Sequence, residues 1–276
     1  MTDTTIARTG PDHRTAFPAS TFADVLRSEW TKLCSLRSTF WALTVTVVLG
    51  IGLGAAISAA TAHGYAKFSV SSKLSWDPTA VSLDGMAIAS LAIAVLGVLC
   101  ISSEYSSGMI RTSLIAVPKR GRVLAAKSLV VAAAAFIVGE VTSFAAFFVG
   151  QAVISGHAPT AALGDPGVAR AVAGGGLYLV ALAVLSVAAG ALLRHPAAAI
   201  ACLVAVLFVL PGIAQALPDS WRNPVTEFWP TLAGGDLTSV HHSAYTLQPW
   251  PGFGVMCLFT AIVYAIAWTL LNCRDA

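Results

Sequence analysis

Charged side chains are scarce. They make up 11% of the 276 residues, where a soluble domain carries about 25%. So thin a charge cannot cover a water-facing exterior, which excludes an ordinary soluble globular protein. A nucleic-acid footprint is missing too, because the net charge is only +3 and the basic residues gather in particular connections. Cysteine occurs five times (Cys34, Cys100, Cys202, Cys257, Cys273), always in or beside an apolar run and never as CxxC. That odd, unpaired set argues against a disulfide framework or zinc site, and the thiols read as small apolar residues. There is no nucleophile elbow, no HExxH and no carboxylate pair spaced for acid–base work. Nothing argues for an enzyme, and no cofactor is expected. Gly121 to Ser128 nearly matches GxxxxGK(S/T), but Ala126 stands where the second glycine must wrap a phosphate.

What abounds is apolar surface, 57% of residues with a mean hydropathy of +0.78. Apolar runs fall at approximately 40–61, 84–102, 126–151, 170–193, 196–217 and 252–272. Each is near the ~20 residues that cross ~30 Å of hydrocarbon as helix. The pattern predicts an all-α integral membrane protein with six transmembrane helices. Residues 20–276 form one domain, with no composition break or repeat. Residues 1–19, holding Gly10, Pro11 and Pro18, read as disordered and lack the form of a cleavable signal peptide.

Residues 20–39 carry an amphipathic pattern. Thr21 and Asp24 have capping-box spacing. Phe22, Val25, Leu26, Trp30, Leu33 and Leu36 recur every three or four residues, with Arg27, Glu29, Lys32 and Arg37 mostly opposite. The segment is either an interfacial helix in the headgroup layer, Trp30 at the boundary, or an extension of the first span.

Orientation follows from lysine and arginine. An even number of spans puts both termini on one side. On that side lie Arg8, Arg14, Arg27, Lys32, Arg37, Arg111, Lys119, Arg120, Arg122, Lys127, Arg194 and Arg274. Lys67, Lys73, Arg170 and Arg222 lie on the other. Positive residues in short loops resist translocation, so both termini are expected in the cytoplasm of a multi-pass cell-membrane protein. Arg194-His195-Pro196 reads as a tight cytoplasmic turn with Pro opening the next helix. The outer connection 218–251, with Trp221, Trp229, Trp250 and five prolines, predicts short helices at the outer leaflet.

The chain's longest polar, basic connection is Ser103–Lys127, which marks it as the part that meets a soluble partner. Gly50 and Gly54 form GxxxG in the first span, suited to close packing within the chain or between copies. Glu140 is the acid deepest in an apolar run. It is either a substrate- or proton-contacting group on a translocation path, or a neutral buried carboxyl. His241-His242 could ligate a metal only with further ligands, and reads as solvated loop; no metal site is expected.

Three stretches carry a family resemblance. Glu29-Trp-Thr-Lys32-Leu-Cys-Ser-Leu-Arg37-Ser-Thr-Phe-Trp41 looks like EWxKLRSLRSTxW. Ser103-Glu104-Tyr105-Ser-Ser-Gly108-Met-Ile-Arg111-Thr, continued by Pro118-Lys-Arg120-Gly-Arg122-Val-Leu-Ala-Ala-Lys127, looks like SEYxxGxIRxTL…PxRxRxLxAK. Pro230-Thr-Leu-Ala-Gly-Gly235, Pro249-Trp-Pro-Gly-Phe-Gly254 and Arg274-Asp-Ala276 look like the closing stretch. Together they resemble permease subunits of type-2 ABC transporters, notably the actinobacterial branch, over nearly all the chain from about residue 24.

The resemblance implies a six-helix transport subunit without its own ATPase. Its partners would be a separate ABC ATPase (nucleotide-binding) subunit and a second permease copy, as a homo- or heterodimer in the lipid bilayer, and it would export a hydrophobic or amphipathic compound. It also implies an ATPase-coupling loop carrying Glu104, Tyr105, Gly108, Arg111, Arg120, Arg122 and Lys127. Glu140 and Leu271-Asn272-Cys273 depart from the family pattern. The rival readings are a stand-alone proton-coupled carrier using Glu140, or a structural or regulatory membrane protein.

Overall fold

The structure is a computed structural model that describes residues 21–109, 120–241 and 246–273. The disordered segment expected at 1–19, and Arg111, Lys119, His242 and Arg274, lie outside the described residues. The chain is 85% helical, and no strand occurs among the described residues. Among the described residues, six helices are long and apolar enough to span a membrane: Arg37–Lys67, Pro78–Ser106, Arg120–Ile154, Val168–Leu193, Pro196–Ala214 and Pro249–Cys273.

Helix α1 (Phe22–Ser35) opens with the expected capping box, Thr21 and Asp24 each bonding the other's backbone amide. Helix α2 (Arg37–Gly64) buries Thr46, Gly50, Gly54, Ser58 and Ala62, small residues recurring every fourth position. After the short α3 (Val70–Leu74) and α4 (Pro78–Leu83), α5 (Gly85–Ser106) and α6 (Arg120–Ile154) pack against that stripe. Helix α7 (Val168–Leu193) is the centre of the bundle: 67% of its apolar window is buried, against 17% for α2 at the edge. It reaches α5, α6 and the last helix, α12 (Pro249–Cys273).

The fifth span is broken. Helix α8 (Pro196–Val204) passes through a π turn, Ala205–Val209, into α9 (Leu210–Ala214). Pro211 just beyond has no amide to donate back into that turn. The indole Nε1 of Trp229 donates to Val206 O instead, at 3.0 Å. The connection 218–251 does form short helices, α10 (Asp219–Phe228) and α11 (Pro230–Gly235), then a 3-10 turn, Asp236–Thr238. The turn enters the bundle rather than lying on it: Leu237 is fully buried against Gly174 of α7.

Asp77 closes one end of the bundle. One carboxylate oxygen caps α4 through the amides of Thr79 and Ala80, and the other accepts from the amides of Val240 and His241 at 2.6 and 2.9 Å. Arg170 donates to the carbonyls of Leu237 and Ser239 beside it. Gln151 bonds Pro78 O, Ser82 Oγ and the Ala161 amide. At the other end Arg194 takes a left-handed conformation (φ 54°) and Pro196 opens α8, the tight turn that the sequence predicts.

Two sequence expectations need correction. The connection after the second span is shorter than 103–127, because α5 runs on to Ser106 and α6 begins at Arg120. Hydrophobicity marks where lipid begins, whereas the helices continue past it. The 35 residues of α6 reach about 52 Å at 1.5 Å per residue, well beyond ~30 Å of hydrocarbon. Second, α1 does not segregate its charges: Glu29 is buried between Val25 and Leu33 on the face turned to the bundle.

The GxxxG pair packs within the chain. A Cβ on Gly54 would lie 2.6 Å from the Ser82 carbonyl oxygen, and one on Gly85 would strike the backbone of Gly50 and Gly54. Backbone cannot move aside as a side chain can. Gly85→Ala is therefore expected to lower the Tm in mild detergent by several degrees. Gly52→Ala, facing open space on α2 between Gly50 and Gly54, is expected to leave it unchanged.

Candidate functional site

Three helices meet around a buried ring of charge. The Lys127 ammonium on α6 donates to Glu29 Oε2 of α1 at 2.6 Å and to Glu104 Oε1 of α5 at 3.0 Å. The Lys32 ammonium, also on α1, donates to Glu29 Oε1 at 2.7 Å and to Glu104 Oε1 at 3.1 Å. The four contacts close on themselves, with two carboxylates and two ammonium groups alternating and no net charge. Lys127 is 2% exposed, Glu29 4% and Glu104 4%, while Lys32 is the member that reaches the surface.

Removing such ions from water costs several kcal/mol each, so they persist only when charge and hydrogen bonds are matched. Here they nearly are, although Glu104 Oε2 is enclosed without a hydrogen-bond partner among the described residues. Burial works against the charge on Glu29, but the Lys127 and Lys32 ammonium groups outweigh it and hold the carboxyl below its ordinary value. Burial likewise opposes the Lys32 charge, and Glu29 and Glu104 overcome it, so Lys32 holds its proton above the usual range.

Neighbouring contacts tie the same helices to the rest of the bundle. The Arg194 guanidinium lies over the Tyr105 ring, 5.3 Å from its centroid, joining the end of α5 to the α7–α8 turn. Arg120 Nη1 donates to Leu271 O at 3.5 Å near the end of α12, where a cation also suits the helix dipole. Gly121 seats the Trp268 ring in the space a Cβ would fill.

The residues that sequence places on one partner-facing loop therefore divide. Glu104 and Lys127 are interior and helical, Tyr105 and Arg120 are half-buried brackets, and Arg122 and Gly108 are exposed. Gly108 turns the chain after α5 with φ +73°. Arg111 is outside the described residues. Sequence reading missed that Glu29 and Lys32 complete the site. The signal was present, since a charged residue four positions from apolar residues on either side (Val25, Leu33) shares their buried face.

Glu140 stands apart. Its half-buried carboxylate fills the space that a Cβ on Gly176 of α7 would need. Lys127, on the same helix, is 13 residues back, about 20 Å at 1.5 Å per residue. The ring and Glu140 are separate features. No group of three or more metal-ligating side chains occurs among the described residues. The His241 amide is held by Asp77.

No protein-family model matches the chain, and no curated protein matches it either.

Lys127→Met would leave two buried carboxylates facing Lys32 alone, a loss of about 3–5 kcal/mol visible as a large fall in Tm. Adding Glu29→Gln should recover part of it, with a coupling of about 1–3 kcal/mol in the double-mutant cycle. Arg122→Ala should change little.

Acid should also loosen the ring. Glu29 gives up its proton more readily folded than unfolded, so the stability it contributes is present above pH 4.5 and is lost as pH falls through its lowered value. Lys32 adds stability that is present below 10.5 and is lost only as pH rises through its raised value. Thermal melts from neutral to acid pH should fall more steeply for the wild type than for Glu29→Gln.

Proposed function

We propose that this chain is the membrane-spanning permease subunit of an ABC-type transporter, moved by a separate ATPase subunit that docks at its inner end. The observation that carries the reading is the charge ring, which fastens α1 to the ends of α5 and α6. A partner that pushes on α1 or on the connection 107–119 then moves two spans with it, since buried ion pairs give way in steps rather than stretching. Rigid-body closure outside the membrane becomes tilt inside it, a shear of packed helices.

In this reading both termini face the cytoplasm, as the lysine and arginine distribution implies, and α1 lies at the cytoplasmic headgroup layer of the cell membrane. Arg122, together with Arg37 on the exposed side of the N-terminal region, supplies the cationic surface for the ATPase. Glu104 and Lys127 act one layer deeper, transmitting rather than touching. A second permease copy completes the pathway, and the cargo is a hydrophobic or amphipathic compound bound for export. The support for cargo is the scarcity of charge in the spans and the family resemblance, which is analogy.

The test is purification of the tagged full-length chain from its own membranes in mild detergent, with mass spectrometry of what accompanies it. The expected companion is an ATPase subunit in near-equal amount, reduced several-fold by Arg122→Glu while the melting curve is unchanged. A preparation free of ATPase in several detergents would sink the proposal in favour of a carrier centred on Glu140. That carrier would show an altered pH profile of transport in Glu140→Gln.

A further inference from the structure

On the outer side of the α1–α6 seam lies an apolar groove of about 310 Å³, lined by Leu26, Arg27 and Trp30 of α1 and Leu129, Val130 and Ala133 of α6. It begins next to the charge ring, since Glu29 and Lys127 hold the two helices together between these residues. Trp30 and Leu129 are large, apolar and exposed, 43% and 53%. Arg27 is the groove's one charged lining residue, and its guanidinium forms no ion pair with the described residues. The nearby Asp24 is not available to it in full, because its carboxylate is engaged by the Thr21 hydroxyl and amide.

We propose that this groove holds one anionic phospholipid of the surrounding leaflet, an acyl chain along Leu26, Trp30, Leu129 and Ala133 and the phosphate against Arg27. The proposal rests on the membrane reading of the six spans and not on the ATPase. Three observations favour a lipid over a protein segment. Leu129 to Ala133 begin about 14 Å from the start of α6 at 1.5 Å per residue, at the level where headgroups give way to hydrocarbon. A volume of this size sits at the small end of ligand sites, about 300 Å³, enough for a length of one chain and too little for a helix. A cation beside an apolar trough offers the two complementary surfaces that one amphiphile needs, and the rigid indole of Trp30 favours the boundary between them. Filling the groove would brace α1 on α6 from the lipid side, opposite the ring that braces it from within.

The experiment uses the full chain reconstituted in phosphatidylcholine vesicles with a small, equal fraction of brominated phosphatidylglycerol or brominated phosphatidylcholine. Bromine quenches indoles on contact, and the Trp30 share is the difference between wild type and Trp30→Phe. Brominated phosphatidylglycerol is expected to quench that share about five-fold more effectively, the worth of one cation facing anionic lipid. Arg27→Gln should abolish the preference while leaving quenching at the phosphatidylcholine level. Ala133→Phe, at an exposed position, should fill the trough and reduce quenching by both lipids. Equal quenching by the two lipids in the wild type would overturn the proposal. So would a Trp30 reached by neither, which would assign the groove to a protein occupant.

Discussion

The fold depends on placing four ionised side chains in a nearly dry space and leaving no charge over. Lys127 is the pivot, because it is the most enclosed member and it alone reaches both carboxylates from α6. Its position is set by the length of α6, which carries charge beyond the hydrocarbon while staying helical. Glu104 is set by α5 running on to Ser106, and Glu29 by the capped start of α1. Each position is fixed by local chemistry, and the ring forms where the three helices converge. None of the four ions would be tolerated there alone.

Around that point the bundle is held mainly by small residues. Glycine, alanine and serine let α2, α5, α6 and α7 approach until backbone meets backbone, as at Gly54, Gly85 and Gly97. With lipid outside there is little hydrophobic gain from helix contact, so close packing and a few satisfied polar links supply cohesion. Many large apolar residues also point outward: Phe40, Trp41, Val48, Phe136, Val141, Phe148 and Leu258 are exposed. A soluble protein of this size would invert that arrangement.

The six spans were legible in the sequence because the bilayer imposes a length and a polarity on each. The capping box of α1, the Arg194 turn and the short helices after α9 were legible because they rest on local rules. The ring was not. The sequence shows Glu29 and Lys32 on one segment and Glu104 and Lys127 on another, and their polarity suggests a water-facing surface. Only the register between α1, α5 and α6 reveals that these charges face one another, and register is set by packing across 98 residues of sequence separation. The loop boundaries failed for a related reason, since hydropathy cannot see a helix that outlasts its lipid. Arg122 remained where its charge placed it, on the surface.

The two ends of the bundle are stitched by residues far apart in the chain: Asp77 to Val240 and His241, Arg170 to Leu237 and Ser239, Arg120 to Leu271. Every one of these links joins a residue before Arg194 to one after it. The connectivity is woven, and covalent continuity at the α7–α8 turn is only one of several ties between the halves. The bundle thus has no seam along which an amino-terminal and a carboxy-terminal half could swing apart as separate bodies. A gene divided at that turn would still encode two fragments with complementary faces, and the lacing at Asp77 and Arg170 gives them the means to find each other.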